Sequence, residues 1–348
     1  MGVDYKEFAK KTLNSISEEE KQFFKEKFVQ LIWTSEGNAQ NRILISEETG
    51  SIKCIGEAGT GKTTQIKKKY LDDLELVKNG EKNIFPIWID LKEYNGSNEY
   101  CLEETIKEIL GKNAECYDIL LEESKLELFL DGYNEVIMDS KDSDGTKKKK
   151  LAMDIDSIHI KYPGINIYMT ERVAKSNPRC LQDKVTIFKC EGMKPEDICQ
   201  YCKKKIDSGV ESIIEYINTT DWIRRVVFTP GKVDKLIELV LKGIKPADKT
   251  EFYTEYLEFI LEREAVEKYE TRIDDLKDML GELASQLSGP QDGMKESEIR
   301  NLWVDKGYSR DAARELLNLA KELPILCWND DCTELQFAYE DYYYYFLN

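Results

Sequence analysis

The octapeptide Gly56-Glu57-Ala58-Gly59-Thr60-Gly61-Lys62-Thr63 constrains this chain more than any other feature. A short apolar run, Ser51 to Ile55, precedes it, and a helical pattern, Thr64 to Val77, follows. The segment therefore reads as strand, glycine-rich turn and helix. Glycines at these spacings let successive backbone N–H groups turn inward at a helix N-terminus, whose partial positive charge favours phosphate. In that geometry Lys62 reaches the β- and γ-phosphates, the Thr63 hydroxyl ligates Mg²⁺, and Thr64 approaches the α-phosphate from the first helical turn. The expected nucleotide-binding set is Gly56, Glu57, Ala58, Gly59, Thr60, Gly61, Lys62, Thr63 and Thr64.

Around this motif, short apolar runs alternate with longer amphipathic ones. The runs are Ile52 to Ile55, Phe85 to Leu91, Leu126 to Leu130, Ile165 to Met169 and Val185 to Phe188. Such an alternation predicts a parallel sheet of about five strands joined by crossover helices. Before it, Tyr5 to Trp33 reads as one or two helices. After Cys190 the pattern turns helical, over Pro195 to Ile206, Lys232 to Leu241, Glu251 to Glu267 and Ile273 to Leu287. Gly289, Pro290 and Gly293 mark a linker before the helices Glu296 to Asp305 and Asp311 to Leu323, and a hairpin is expected over Ile325 to Trp328 and Glu334 to Phe337. Helices followed by a hairpin predict a winged-helix module. The fold expected is an α/β P-loop NTPase followed by a helical domain and a winged-helix domain. Its expected boundaries are 1–43 for an N-terminal helical segment, 44–190 for the α/β domain, 191–270 for the helical domain and 271–348 for the winged helix.

Two strand ends carry further chemistry. Leu126 to Leu130 runs into Asp131, the layout of a strand that supplies a metal-binding carboxylate, so Asp131 joins Thr63 as an expected Mg²⁺ residue. Four residues on, Glu135 could orient a water against the γ-phosphate as a general base; the alternative is a solvated loop glutamate. The string Ile165 to Arg172 places Arg172 at the carboxyl edge of a strand, where ligands bind in open α/β sheets. Arg172 could contact the γ-phosphate or pair with a neighbouring carboxylate.

Composition narrows the partners. The net charge of −17 opposes broad nucleic-acid binding. A basic run, Lys147 to Lys150, is expected to be a solvated loop edge. Nine irregularly spaced cysteines in a chain of 348 residues point to a reducing, cytoplasmic setting rather than a disulfide framework. No stretch approaches a membrane span.

With these pieces in order, the sequence resembles the NACHT family of STAND nucleoside triphosphatases, from about Leu44 to the end of the chain. The resemblance is carried by G-E-A-G-T-G-K-T-T at Gly56 to Thr64, P-I-W-I-D-L at Pro86 to Leu91 and F-L-D-G-Y-N-E at Phe129 to Glu135. Where the family has D-G-x-D-E this chain has Asn134, and Thr170-Glu171-Arg172 stands at the family's T-S-R sensor. Thr229-Pro230 is similar to the proline turn that packs on adenine, which makes Pro230 an expected adenine contact. Tyr339 occupies the position of the family's winged-helix histidine. The resemblance implies ATP or ADP with Mg²⁺ as cofactors, slow hydrolysis, and self-association on activation by an unidentified trigger, a viral protein being one candidate. It further implies a role in antiviral or innate-immune-like signalling. An inert nucleotide-bound scaffold and an AAA+-type motor are the alternatives. The aromatic end, Tyr342 to Leu347, suggests a piece of a longer protein or a short form whose sensor lies elsewhere.

Overall fold

The computed structural model describes residues 4–35, 38–56, 59–91, 94, 101–133, 136, 146–171, 181, 185–190, 192–206, 208–268, 273–323, 325–329 and 333–347. Nine strands occur among them: β1 Trp33–Ser35, β2 Asn38–Ile43, β3 Ile52–Ile55, β4 Phe85–Asp90, β5 Leu126–Asp131, β6 Asn166–Glu171, β7 Thr186–Cys190, β8 Leu326–Trp328 and β9 Leu335–Phe337. The α-helices in chain order are α1 Tyr5–Ser15, α2 Glu18–Gln22, α3 Lys62–Asn79, α4 Cys101–Leu110, α5 Tyr117–Glu122, α6 Thr146–Lys161, α7 Pro195–Lys205, α8 Val210–Thr219, α9 Asp221–Val226, α10 Pro230–Leu241, α11 Lys249–Lys268, α12 Ile273–Gln286, α13 Glu296–Asp305, α14 Arg310–Glu322 and α15 Glu340–Leu347. They divide into two compact units, Met1–Met193 with Lys203–Asp207, and Lys194–Cys202 with Ser208–Asn348.

In the first unit one sheet runs in the order β2-β1-β7-β3-β6-β5-β4. The five strands expected from the apolar runs form its parallel part, β7-β3-β6-β5-β4. Helices cover both faces of its middle, so β3 is buried throughout and β5 is buried up to its last residue, Lys53 and Glu127 included, whereas β7 keeps Thr186 and Lys189 exposed. Register lines up Trp88, Phe129 and Tyr168 across β4, β5 and β6. Phe129 stacks on Tyr168 at 4.8 Å between ring centroids, and Tyr70 of α3 closes over Phe129 edge-on at 5.3 Å. That aromatic layer fixes α3, and with it the glycine turn at its N-terminus, against the strand ends.

The N-terminal segment departs from the expected helices. Helix gives way after Lys27, and the chain then extends into β1 and β2, which add an antiparallel pair to the sheet beside β7. Trp33, read as a helix residue, is a fully buried strand residue opposite Cys190. An apolar run of this length suits either state, and pairing with the edge of β7 decides it. α1 belongs to the same core, since Tyr5 and Phe8 pack on Phe85 with centroids 4.7 and 4.9 Å away.

A second departure concerns the basic run. Lys147 to Lys150 forms the first turns of α6, and Lys148 is buried rather than solvated, its Nζ 5.5 Å from the centre of the Tyr133 ring. Helical periodicity places position 148 on the inward side with Leu151 and Ile155.

In the second unit, α12, α13 and α14 followed by the β8–β9 hairpin make a winged helix, and Met294 bridges to Leu335 as a third strand position beside the wing. Trp303 of α13 is fully buried and donates its indole N–H to the Met279 carbonyl of α12 at 3.0 Å. The aromatic end forms α15, and Tyr342, Tyr343 and Phe346 are buried. Phe346 stacks on Phe337 of the hairpin at 5.8 Å. These side chains thus find their partners within the chain.

Candidate functional site

The glycine turn sits at the carboxyl end of β3, the middle strand of the seven. Gly59 and Gly61 have φ of +74° and +86°, in the left-handed region that costs an L side chain roughly 1–2 kcal/mol. Gly61 is the N-cap of α3. A residue with a side chain there would strain the turn where backbone N–H groups must face inward.

Lys62, 9% exposed, folds back over the turn. Its ammonium donates to the Gly56 carbonyl at 2.8 Å and to Thr60 Oγ1 at 3.4 Å. Both are neutral acceptors, which an anionic oxygen would outcompete. Thr63 is exposed on the first turn of α3, and its Oγ1 donates to Asp131 Oδ1 at 2.9 Å. Thr64, half-buried, follows on the same turn. Two residues 68 positions apart therefore meet because β5 lies two strands from β3 and ends level with it.

A third side chain joins them. Thr170 Oγ1 donates to Asp131 Oδ1 at 2.6 Å and accepts from the Gly132 N–H at 2.7 Å. In the string Thr170-Glu171-Arg172 only Arg172 carried an expected role; the one sequence signal for Thr170 was its place directly after the apolar run Ile165 to Met169. The hydroxyl and carboxylate oxygens of Thr63 and Asp131 are hard donors, matched to Mg²⁺, and they converge on one point above the turn. These two would hold such an ion.

Behind the site the sheet carries a buried ion pair. Lys53 of β3 and Glu171 of β6 bond through Nζ and Oε2, each side chain 7% exposed, and the Glu171 carbonyl accepts from the Gly56 N–H at 3.3 Å. Burial pushes the Cys54 thiol well above its ordinary range, and the Lys62 charge pulls the other way. Helix α3 also anchors the N-terminal segment. Gln65, 2% exposed, accepts from the Leu31 N–H at 3.2 Å and donates to the Val29 carbonyl at 2.8 Å. No motif in the sequence marks Gln65 or Lys53.

Glu57, Ala58, Asn134, Glu135 and Arg172 lie outside the described residues. Pro230 occupies the first position of α10 in the second unit, after Thr229, which is 4% exposed. In the same unit Tyr339 stacks on Tyr253 at 4.8 Å, and the buried Lys232 ammonium lies 3.3 Å from its hydroxyl. Among the described residues no helix is long and apolar enough to cross a membrane.

No model of a known protein family matches the chain. Nor does any curated protein match it in sequence. Solved structures are similar to it at low identity. The Walker-type ATPase of Pyrococcus abyssi has 13% identity and a TM-score of 0.44, over 86% of this chain and 92% of that one. The Aeropyrum pernix ORC1 protein, solved in complex with DNA, has 12% identity and a TM-score of 0.46, over 86% of this chain and 87% of that one. Drosophila ORC bound to DNA has 11% identity and a TM-score of 0.37, over 87% of this chain and 83% of that one.

Proposed function

We propose that this chain binds ATP or ADP with Mg²⁺ through Gly56 to Thr64 and Asp131, and acts as a slowly hydrolysing nucleotide switch. The observation that carries the reading is the convergence of Lys62, Thr63 and Asp131 at the carboxyl end of a parallel sheet, above a helix N-terminus. A phosphate chain laid into the turn meets inward N–H groups and the α3 dipole. Lys62 would exchange the Gly56 carbonyl for the β- and γ-phosphates. Thr63 and Asp131 would hold the metal, the Thr63 hydroxyl giving up its bond to Asp131. Mg²⁺, when bound, neutralises charge on the β- and γ-oxygens. Glu135 is proposed to activate water, Arg172 to touch the γ-phosphate and Pro230 to pack on adenine.

The finer reading, a cytoplasmic NACHT-type signalling ATPase that self-associates in antiviral or innate-immune-like defence, is supported by the strings at Gly56 to Thr64, Pro86 to Leu91 and Phe129 to Glu135. The helical and winged-helix elements after the α/β unit accord with it. Nucleotide retention tests the central claim. ADP or ATP extracted from the purified protein, and lost with Lys62→Ala, is the expected result. An empty site that also takes up no added ATP with Mg²⁺ would refute it.

A further inference from the structure

Thr170 is 1% exposed at the end of β6, and its hydroxyl sits between two groups that define its orientation. The Gly132 N–H, 2.7 Å away, fills an acceptor position. The one hydroxyl proton is thereby directed at Asp131 Oδ1, 2.6 Å away, in a short charge-assisted bond. Thr63 donates to the same oxygen at 2.9 Å but is exposed on a helix turn, so it can rotate away. Thr170 cannot follow, because the strand and the Gly132 amide hold it. When the Thr63 hydroxyl leaves to ligate metal, Thr170 is the hydroxyl that remains on Asp131. Behind it, the Lys53–Glu171 pair ties the next residue of β6 to β3 on the opposite face of the sheet.

From this geometry we propose that Thr170 is a positioning residue for Mg²⁺, fixing the Asp131 carboxylate so that the affinity for the metal depends on it while the affinity for the nucleotide itself does not. The proposal rests on the nucleotide and Mg²⁺ reading of the site. Partners that orient a metal ligand from behind typically account for about 10–100-fold in metal affinity. Valine at position 170 keeps the shape and removes both hydrogen bonds; serine keeps the hydroxyl.

The test titrates Mg²⁺ into protein holding a fluorescent ADP analogue, and measures binding of the same analogue in EDTA. With Thr170→Val the Mg²⁺ midpoint is expected to rise about 10–100-fold, with the EDTA affinity unchanged, and Thr170→Ser is expected to restore the midpoint. Should Thr170→Val fail to fold, Thr170→Ala carries the same expectation. A merely structural role would lower the melting temperature and weaken binding in EDTA and Mg²⁺ alike, and that outcome overturns the proposal. So does an unmoved midpoint beside normal wild-type binding, which leaves the nucleotide site standing. Wild-type protein that binds the analogue under neither condition removes both.

Discussion

Replacing Gln65 with leucine should destabilise the first unit by about 2–4 kcal/mol. Leucine matches the side chain in size but cannot hold the extended segment before β1. Two backbone groups lose partners, the Leu31 N–H at 3.2 Å and the Val29 carbonyl at 2.8 Å. Burial makes the first loss the costlier one: the Leu31 bond is buried, so its donor is left without water at roughly 1–3 kcal/mol, whereas the half-buried Val29 carbonyl can recover a water and lose about 1 kcal/mol. For a unit of about 200 residues, each kcal/mol lowers the melting temperature by about 2–4 °C, which gives a drop of roughly 4–16 °C. Urea unfolding followed through Trp33 and Trp88 would read the loss in free energy, and amide exchange at Leu31 would report whether the segment detaches locally. The Gln65→Glu variant separates the two bonds, because it keeps an acceptor for Leu31 and turns a carboxylate oxygen towards the Val29 carbonyl. A loss below about 1 kcal/mol in Gln65→Leu, with Leu31 still protected, would refute the view that α3 anchors this segment.

Buried charge in the first unit sets two further outcomes. Burial first, and the neighbouring Asp73 carboxylate second, push the Glu127 carboxyl above its ordinary value of 4.5, while Lys82, Lys69 and the Asn166 amide pull it down. A raised folded value favours the protonated form, so the contribution of Glu127 is full below pH 4.5 and is lost as pH rises towards its folded value. Glu127→Gln, which mimics the protonated side chain, should therefore gain stability relative to wild type as pH rises from 4.5, and a difference that is flat with pH in urea melts would contradict this. Breaking the Lys53–Glu171 pair singly, by Lys53→Met or Glu171→Leu, should cost about 3–5 kcal/mol, while the double replacement should recover most of it. Additive losses in a double-mutant cycle would show that the two charges do not compensate one another.

Much of the α/β unit is legible in the order of its residues. The five apolar runs predict the five parallel strands because a strand covered on both faces is mostly apolar, Lys53 and Glu127 being the charged exceptions in β3 and β5. Gly59, Gly61 and Lys62 identify the phosphate loop because few other backbones need left-handed glycines directly before a helix. The winged helix is legible from helix boundaries and the Ile325 to Phe337 hairpin, since local turn chemistry sets both.

Other features depend on distance in sequence rather than on any local pattern. Phe28 to Trp33 carries apolar residues that suit helix or strand, and pairing with the edge of β7 selects strand at Trp33. Lys148 looks like surface until Tyr133 offers its ring face. Tyr342, Tyr343 and Phe346 look like an uncovered end until Phe337 and the neighbouring helices receive them. The meeting of Thr63, Asp131 and Thr170 belongs to this second class. Each residue is the ordinary end of a strand or start of a helix. Local residue order is enough to establish a glycine loop, an acidic strand end and a polar strand end. Strand order and register bring their oxygens to one carboxylate, because side chains 39 and 68 positions apart meet only through the sheet.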